Sequence, residues 1–236
     1  WRQDHILIAG DAAHVMPPFM GQGMCAGFRD AWNLTWKISG VLNGDYESNI
    51  LDTYFEERSP HVNDVIELSM FLGKVICVSD QQEAQQRDQA FFDGLVPPMP
   101  DFPELTQGIL AQHPLFNPQQ LAGKLSPHAY LQCGEQTRRL DDLIAGHFSL
   151  LTIQAIAEDV RIPEGLVVVD LLDKQSSDRT QFIVNFMQQH HIQAMLIRPD
   201  FYIFGAVEQR QQIGGLIEYF EETMQQYRTS ADYALA

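Results

Sequence analysis

Apolar and polar positions divide the chain into a helix-rich first part and a second part in which strands alternate with helices. Residues 5–9 (HILIA) form a short apolar run closed by Gly10-Asp11, which predicts a strand with a turn at its carboxyl end. After a loop holding Pro17, Pro18, Gly21 and Gly23, a helical pattern runs over 24–42 and stops at Asn43-Gly44. Its apolar positions Phe28, Ala31, Trp32, Leu34, Trp36, Ile38 and Val41 occupy more than one face, which predicts a deeply buried helix. A second helical stretch covers 48–78, with Pro60 as a kink or break. Gln-rich residues 81–92 predict a third helix. Four prolines within 95–105 (LVPPMPDFPEL) then forbid regular structure over most of that segment, marking a linker or surface connection.

Beyond Leu125 the spacing changes. Runs at 148–153, 166–171, 194–198 and 201–206 are strand candidates. Between the second and third lies a helix over 180–190, with Phe182, Ile183, Phe186 and Met187 on its apolar face. A last helix spans 209–227, and the tail 228–236 is expected to fray. This order reads as a small α/β domain with a mixed sheet. The expected organisation is 1–94 as one unit, 95–125 as a Pro-rich connection and 126–236 as a second unit.

Composition narrows the function. The 236 residues carry 31 acidic against 15 basic side chains, a formal charge of −16. So negative a surface repels phosphate backbones and anionic membranes, excluding nucleic acid and electrostatic membrane docking as expected partners. No apolar run reaches the length of a membrane span and no signal peptide is visible, so a cytoplasmic location is expected. Cys25, Cys77 and Cys133 are sparse, odd in number and lack a C-x-x-C pair, which suits a reducing compartment and offers neither a disulfide frame nor a metal site. His190 and His191 have no nearby carboxylate or thiol and read as surface residues. No metal is expected. The chain opens at Trp1, without a Met and already close to a strand, so a fragment is expected.

The chemistry concentrates in residues 10–37, GDAAHVMPPFMGQGMCAGFRDAWNLTWK. An Asp just past a strand end can accept hydrogen bonds from ligand hydroxyls. Gly21 and Gly23 let the backbone approach a ligand closely. The helix start at Met24–Cys25 offers unpaired N–H donors and a positive dipole end, suited to an electron-rich oxygen. A ligand-free strand–loop–helix junction is the plainer reading of these parts taken singly.

Taken together, GDAAH (10–14), MPP (16–18), GQGMCAG (21–27), RDAWNLTWK (29–37) and LDTYFEERSPH (51–61) strongly resemble the second flavin-binding fingerprint of the FAD-dependent aromatic-ring monooxygenases, within them the 3-(3-hydroxyphenyl)propionate hydroxylase-like branch. GHFSLL (146–151) and LIRPDFYIFG (196–205) resemble, more loosely, the thioredoxin-like C-terminal domain of the same hydroxylases. The resemblance implies an α/β chain: the C-terminal part of an FAD-binding, Rossmann-like domain, mostly helical here, followed by a thioredoxin-like α/β domain. It implies FAD as cofactor, NAD(P)H as co-substrate, a small aromatic substrate hydroxylated with O2, and a parent about twice as long whose upstream part carries the G-x-G-x-x-G motif. The fragment alone is then expected to be inactive, and a homodimer stays open.

By the same resemblance Gly10 belongs to the cofactor-binding set, Asp11 hydrogen-bonds the ribityl chain, Pro17 and Pro18 wall the flavin ring, and Gly21, Gln22 and Gly23 carry the chain past it. The backbone N–H groups of Met24 and Cys25 meet the ring's oxygen edge, where many relatives have Asn in place of Cys25. No catalytic side chain is assigned. A halogenase, epoxidase or dehydrogenase on the same scaffold, or a non-catalytic oligomerisation module, are the alternatives. His14 reads as a hydrogen-bonded structural residue and Cys25 as a small buried helix residue. Arg29 and Asp30 should pair elsewhere than with each other. Glu57 and Arg58 are expected to be solvated or in an interdomain salt bridge, and Arg198-Pro199-Asp200 to be a structural turn.

Overall fold

The computed structural model describes residues 1–96, 98–172, 176–178 and 181–229. The first strand is shorter than its apolar run. β1 (Arg2–Gln3) and β2 (Ile6–Leu7) make a two-stranded antiparallel hairpin around Asp4, whose φ of 52° lies in the left-handed region that Asp tolerates. Ile8 instead bonds back to the Trp1 carbonyl at 2.9 Å.

Next come α1 (Gly23–Asn43), α2 (Asp52–Ile76) and α3 (Gln81–Phe92). α1 is not deeply buried all round. Phe28, Trp32 and Leu42 are exposed, while Asp30, Asn33 and Lys37 lie fully inside. The polar residues go inward because partners on α2 and beyond satisfy them, leaving the aromatic positions to the opposite face. α2 runs unbroken through Pro60, with Arg58 and His61 fixed on either side of it by hydrogen bonds to Asp30 and to the Pro103 carbonyl. α3 starts where Asp80 accepts from the amides of Gln82 and Glu83, both at 2.9 Å, and it buries no residue.

The second part holds β3 (Tyr130–Cys133), β4 (Gln136–Arg139), α4 (Leu140–Ile144), β5 (Ser149–Thr152), β6 (Val167–Asp170), β7 (Ser176–Asp178), α5 (Phe182–Gln189), β8 (Ala194–Ile197), β9 (Ile203–Val207) and α6 (Ile213–Gln225). The four strands read from the sequence form one sheet of order β6-β5-β8-β9, parallel between β5 and β6 and antiparallel elsewhere. This is a mixed sheet of thioredoxin-like order, although residues 153–166, which cross from β5 to β6, hold no helix. A second sheet, β4-β3-β7, was not predicted: every residue of β4 is exposed, so no apolar alternation marks it. The predicted helix start at residue 180 and the tail beyond residue 229 lie outside the described residues.

The side-chain alternation of the four-stranded sheet makes two cores. On one face Leu150, Leu196 and Phe204 pack with Ile213, Leu216 and Phe220 of α6, and with Trp36, Ile50 and Leu51 from the helix-rich part. On the other, Leu151, Met195 and Ile203 pack with Ile183, Val184 and Met187 of α5 and with Leu131 and Leu140. The connection is a surface segment only in its proline-rich stretch. Leu105, Ile109, Leu110, Ala111, Phe116 and Leu121 are buried, and Ala111 and Gly123 donate to the β9 carbonyls of Phe204 and Ile203 at 2.7 and 2.9 Å.

Candidate functional site

Residues 10–25 run from the end of the β2 hairpin to the first turn of α1. Gly10, Asp11 and Ala12 make a 3-10 turn in which Ala13 and His14 donate back to the Gly10 carbonyl at 2.8 and 2.9 Å. Asp11 is exposed on that turn. A second 3-10 turn, Pro18–Met20, ends at Gly21 with φ of 62°, and a Cβ at Gly21 would meet nothing within 4 Å. The loop there is open as well as left-handed, which suits glycine. Pro17 is half-buried, its carbonyl taking the Ser69 hydroxyl at 2.9 Å. The Phe19 ring packs against α2 at Gly73, where any side chain would collide with it.

The start of α1 carries no side-chain cap. Gln22 occupies the cap position, but its Oε1 accepts from Arg29 at 3.2 Å instead. Ala26 is the first residue to donate back to Gln22, at 2.8 Å, so the amides of Gly23, Met24 and Cys25 precede the helical ladder. Met24 is 70% exposed and Cys25 half-buried, less buried than its reading as a core helix residue suggested.

Behind this loop stands Asp30. Its Oδ2 accepts the Gly10 amide at 2.9 Å and meets His14 Nε2 at 2.7 Å, while Oδ1 accepts Arg58 Nε at 2.9 Å. His14 is thus the structural residue expected, and Asp30 pairs away from Arg29. Arg58 donates in turn to His61 Nδ1 at 2.6 Å, and His61 Nε2 donates to the Pro103 carbonyl at 3.0 Å. Those partners fix the neutral tautomer. Burial, reinforced by Arg58 and Arg29, pulls the His61 imidazole down to about 3.

A second polar cluster joins the two halves of the fold. Glu57 Oε2 accepts from Asn33 at 2.6 Å, Lys37 at 2.8 Å and Arg198 at 2.7 Å, and its Oε1 takes the Ile109 amide at 2.9 Å. Arg198 also grips Asp200, at 2.9 and 2.7 Å. All these side chains are buried. Burial would raise the Glu57 carboxyl, but Arg198 and Lys37 outweigh it and hold it well below the carboxylate range. Burial pulls the Lys37 ammonium down to about 8 against the opposing pull of Glu57. Of the two expectations for Glu57 and Arg58, solvation is therefore corrected. Glu57 bridges to the second part, and Arg58 pairs within the first. Arg198-Pro199-Asp200 is a turn, yet its two charges are inside because Glu57, Asn33 and the Ile109 carbonyl receive them.

The structure strings Gly10, Asp11, Pro17, Pro18, Gly21 and Gln22 along one continuous connection that leads into Gly23, Met24 and Cys25 in the first turn of α1, with Gly10 packed against Gly27 of α1. Sequence reasoning missed Asp30, Arg58 and Ser69, which hold that loop from behind. A signal existed: Asp30, Asn33 and Lys37 recur at helical spacing, a polar stripe inside a helix otherwise rich in apolar residues. Among the described residues no group of three metal-ligating side chains occurs and no helix is long and apolar enough to cross a membrane. An uncapped helix start beside an open glycine loop, with an exposed carboxylate upstream, fits a flat ligand bearing an electron-rich edge and a hydroxylated chain.

The FAD binding domain family matches residues 1–69. Among named relatives, the probable NADH-specific resorcinol 4-hydroxylase of Rhodococcus jostii (strain RHA1) is 36% identical over 235 residues, covering 92% of this chain and 42% of the relative. The 3-(3-hydroxy-phenyl)propionate/3-hydroxycinnamic acid hydroxylase of Mycolicibacterium vanbaalenii is 43% identical over 98 residues, 42% of this chain and 17% of the relative. Among solved structures, aklavinone-11 hydroxylase in complex with FAD and aklavinone superimposes with a TM-score of 0.65 at 20% identity, over 94% of this chain and 44% of that one. OxyS anhydrotetracycline hydroxylase from Streptomyces rimosus gives 0.63 at 23%, over 96% and 45%. The chain thus spans less than half the length of the relatives it matches.

Proposed function

We propose that the chain serves a monooxygenase that hydroxylates a phenolic ring, a reading supported by the match of residues 1–69 to the FAD binding domain family and by the 36% identity, over 92% of the chain, to a probable resorcinol 4-hydroxylase. FAD, when bound, supplies the redox chemistry that links NAD(P)H and O2 to the ring. The chain's own part is to hold and polarise. The Asp11 carboxylate accepts hydrogen bonds from the cofactor's hydroxylated chain. The amides of Met24 and Cys25 donate to the oxygen edge of its ring, and the dipole of the 21-residue α1 favours negative charge there. Pro17 and Pro18 wall the substrate side, held by the Ser69 hydroxyl on the Pro17 carbonyl. Gly10, Gly21, Gln22 and Gly23 shape the loop, and Asp30 fixes its first turn.

The observation that carries this reading is the uncapped start of α1 beside the open turn at Gly21. The roles divide along the chain as 1–94 for the flavin side, 95–125 for the connection and 126–236 for a thioredoxin-like domain. A cytoplasmic location accords with the sparse, odd cysteine count, and a homodimer stays open. The test is FAD retention, read as visible absorbance after desalting in the parent-length protein. Asp11→Ala should lower the flavin content several-fold without loss of fold by circular dichroism. Unchanged flavin content would remove Asp11 from the site.

A further inference from the structure

Arg29 parts company with the residue beside it. Asp30 turns into the core, where Gly10, His14 and Arg58 take its oxygens, whereas the half-buried Arg29 reaches back along α1 toward the helix start. There its Nη1 donates to Gln22 Oε1 at 3.2 Å, seven residues upstream. Its guanidinium also lies over the Phe102 ring, 4.8 Å from the ring centre. Phe102 belongs to the connection and is steadied by its surroundings: His61 stands 6.0 Å from it and donates to the carbonyl of Pro103. Among the described residues no carboxylate pairs with Arg29. In a chain of net charge −16, a positive charge therefore stands uncompensated beside the first turn of α1.

That placement bears on two donors. A side chain at the cap position of a helix ordinarily accepts from the second or third amide after it, which here belong to Met24 and Cys25. Gln22 holds the cap position and makes no such bond, because Arg29 occupies its oxygen. Both amides stay open to an outside acceptor. The guanidinium adds a whole charge to the partial one that the helix dipole puts at the same end.

We propose that Arg29 is a positioning residue for the cofactor: it draws Gln22 off the start of α1 and holds a fixed positive charge beside the amides that meet the ring's oxygen edge. This rests on the flavin reading above and deepens it. A charge so placed stabilises the ring more when it is negative than when it is neutral. Arg29 therefore sets the reduction potential of the bound FAD, and Phe102 ties that setting to the connection.

The test is a redox titration of the parent-length protein, following flavin absorbance against dyes of known potential. Arg29→Met should weaken binding of reduced FAD about tenfold relative to oxidised FAD, a fall of about 30 mV for the two-electron couple. Arg29→Lys keeps the charge and should restore most of the difference. Phe102→Leu removes the stacking partner and should fall between the wild type and Arg29→Met. A purely structural Arg29 would weaken both oxidation states alike and leave the potential in place. Flavin held by Arg29→Met at the wild-type potential, or by Arg29→Lys at a potential as low as that of Arg29→Met, would overturn the role of Arg29 and leave the flavin reading standing. If Arg29→Met does not fold, Phe102→Leu decides, and an unchanged potential there overturns the role. A wild-type parent that holds no flavin would overturn both.

Discussion

Glu57 and Arg198 stand 141 residues apart and meet in a two-pronged ion pair, 2.9 Å from Nη1 to Oε1 and 2.7 Å from Nη2 to Oε2, both side chains fully buried. The pair ties α2 to the end of β8. With Lys37 and Asp200 it forms a set of two cations and two anions, so the interior carries no net charge there.

Breaking this set by one member should be severe. Arg198→Met leaves Asp200 buried against Asn33 alone, and a buried charge stripped of its partner costs about 3–5 kcal/mol. Urea unfolding should show that loss. Arg139→Ala, at an exposed pair with Asp142, is the control and should leave the midpoint in place. Equal, small effects of the two changes would contradict the role given to Arg198.

Stability should fall in acid. Unfolded, His61 titrates near 6.5, whereas folded it stays neutral down to about 3. Between those values the unfolded chain holds the extra proton, so stability drops as pH falls through the window, by up to about 1.4 kcal/mol per pH unit. Glu57, held low, adds to the loss below about 4.5. Lys37 acts at the other end: with a folded value of about 8 against 10.5, it makes stability rise with pH between them. Melting curves from pH 4 to 10 should show both slopes. His61→Gln should flatten the acid limb above pH 4.5, and Lys37→Met the alkaline one.

Two glycines near the candidate loop should respond for different reasons. Gly73→Ala forces the Phe19 ring off α2 and should cost about 1–3 kcal/mol as overpacking. Gly21→Ala meets no atom, so only its left-handed backbone opposes the change, about 1 kcal/mol. Thermal melts of the pair should rank them in that order, and the reverse order would refute the Phe19 contact.

Asp80→Ala removes the cap of α3 and should cost that helix about 0.5–2 kcal/mol. Since α3 buries nothing, the damage should stay local: faster amide exchange over residues 81–92 with an unchanged global unfolding midpoint.

Legibility in the sequence followed burial and locality. α3 was readable to the residue because its Gln-rich character is local; its Asp80 cap, equally local, went unread. β5, β6, β8 and β9 showed through because strands such as β8 are buried on both faces and so are apolar throughout. β3, β4 and β7 did not, since exposed positions such as Gln136 and Arg139 carry no periodic mark. In the candidate site the loop from Gly10 to Cys25 was visible from its glycines and prolines. Its support was not, because Asp30 reads as a surface acid until Arg58, 28 residues on, is folded against it.

The strap that pairs Ala111 and Gly123 with β9 has a bearing on how the protein behaves in a crowded solution. Ile203 also donates to the Lys124 carbonyl at 2.8 Å, so the outer rim of β9 is already occupied by the chain's own backbone. An uncovered rim of that kind recruits strands from other molecules. Residues 105–124 therefore act as a built-in guard against self-association, and loosening them would turn the four-stranded sheet into a template for aggregation.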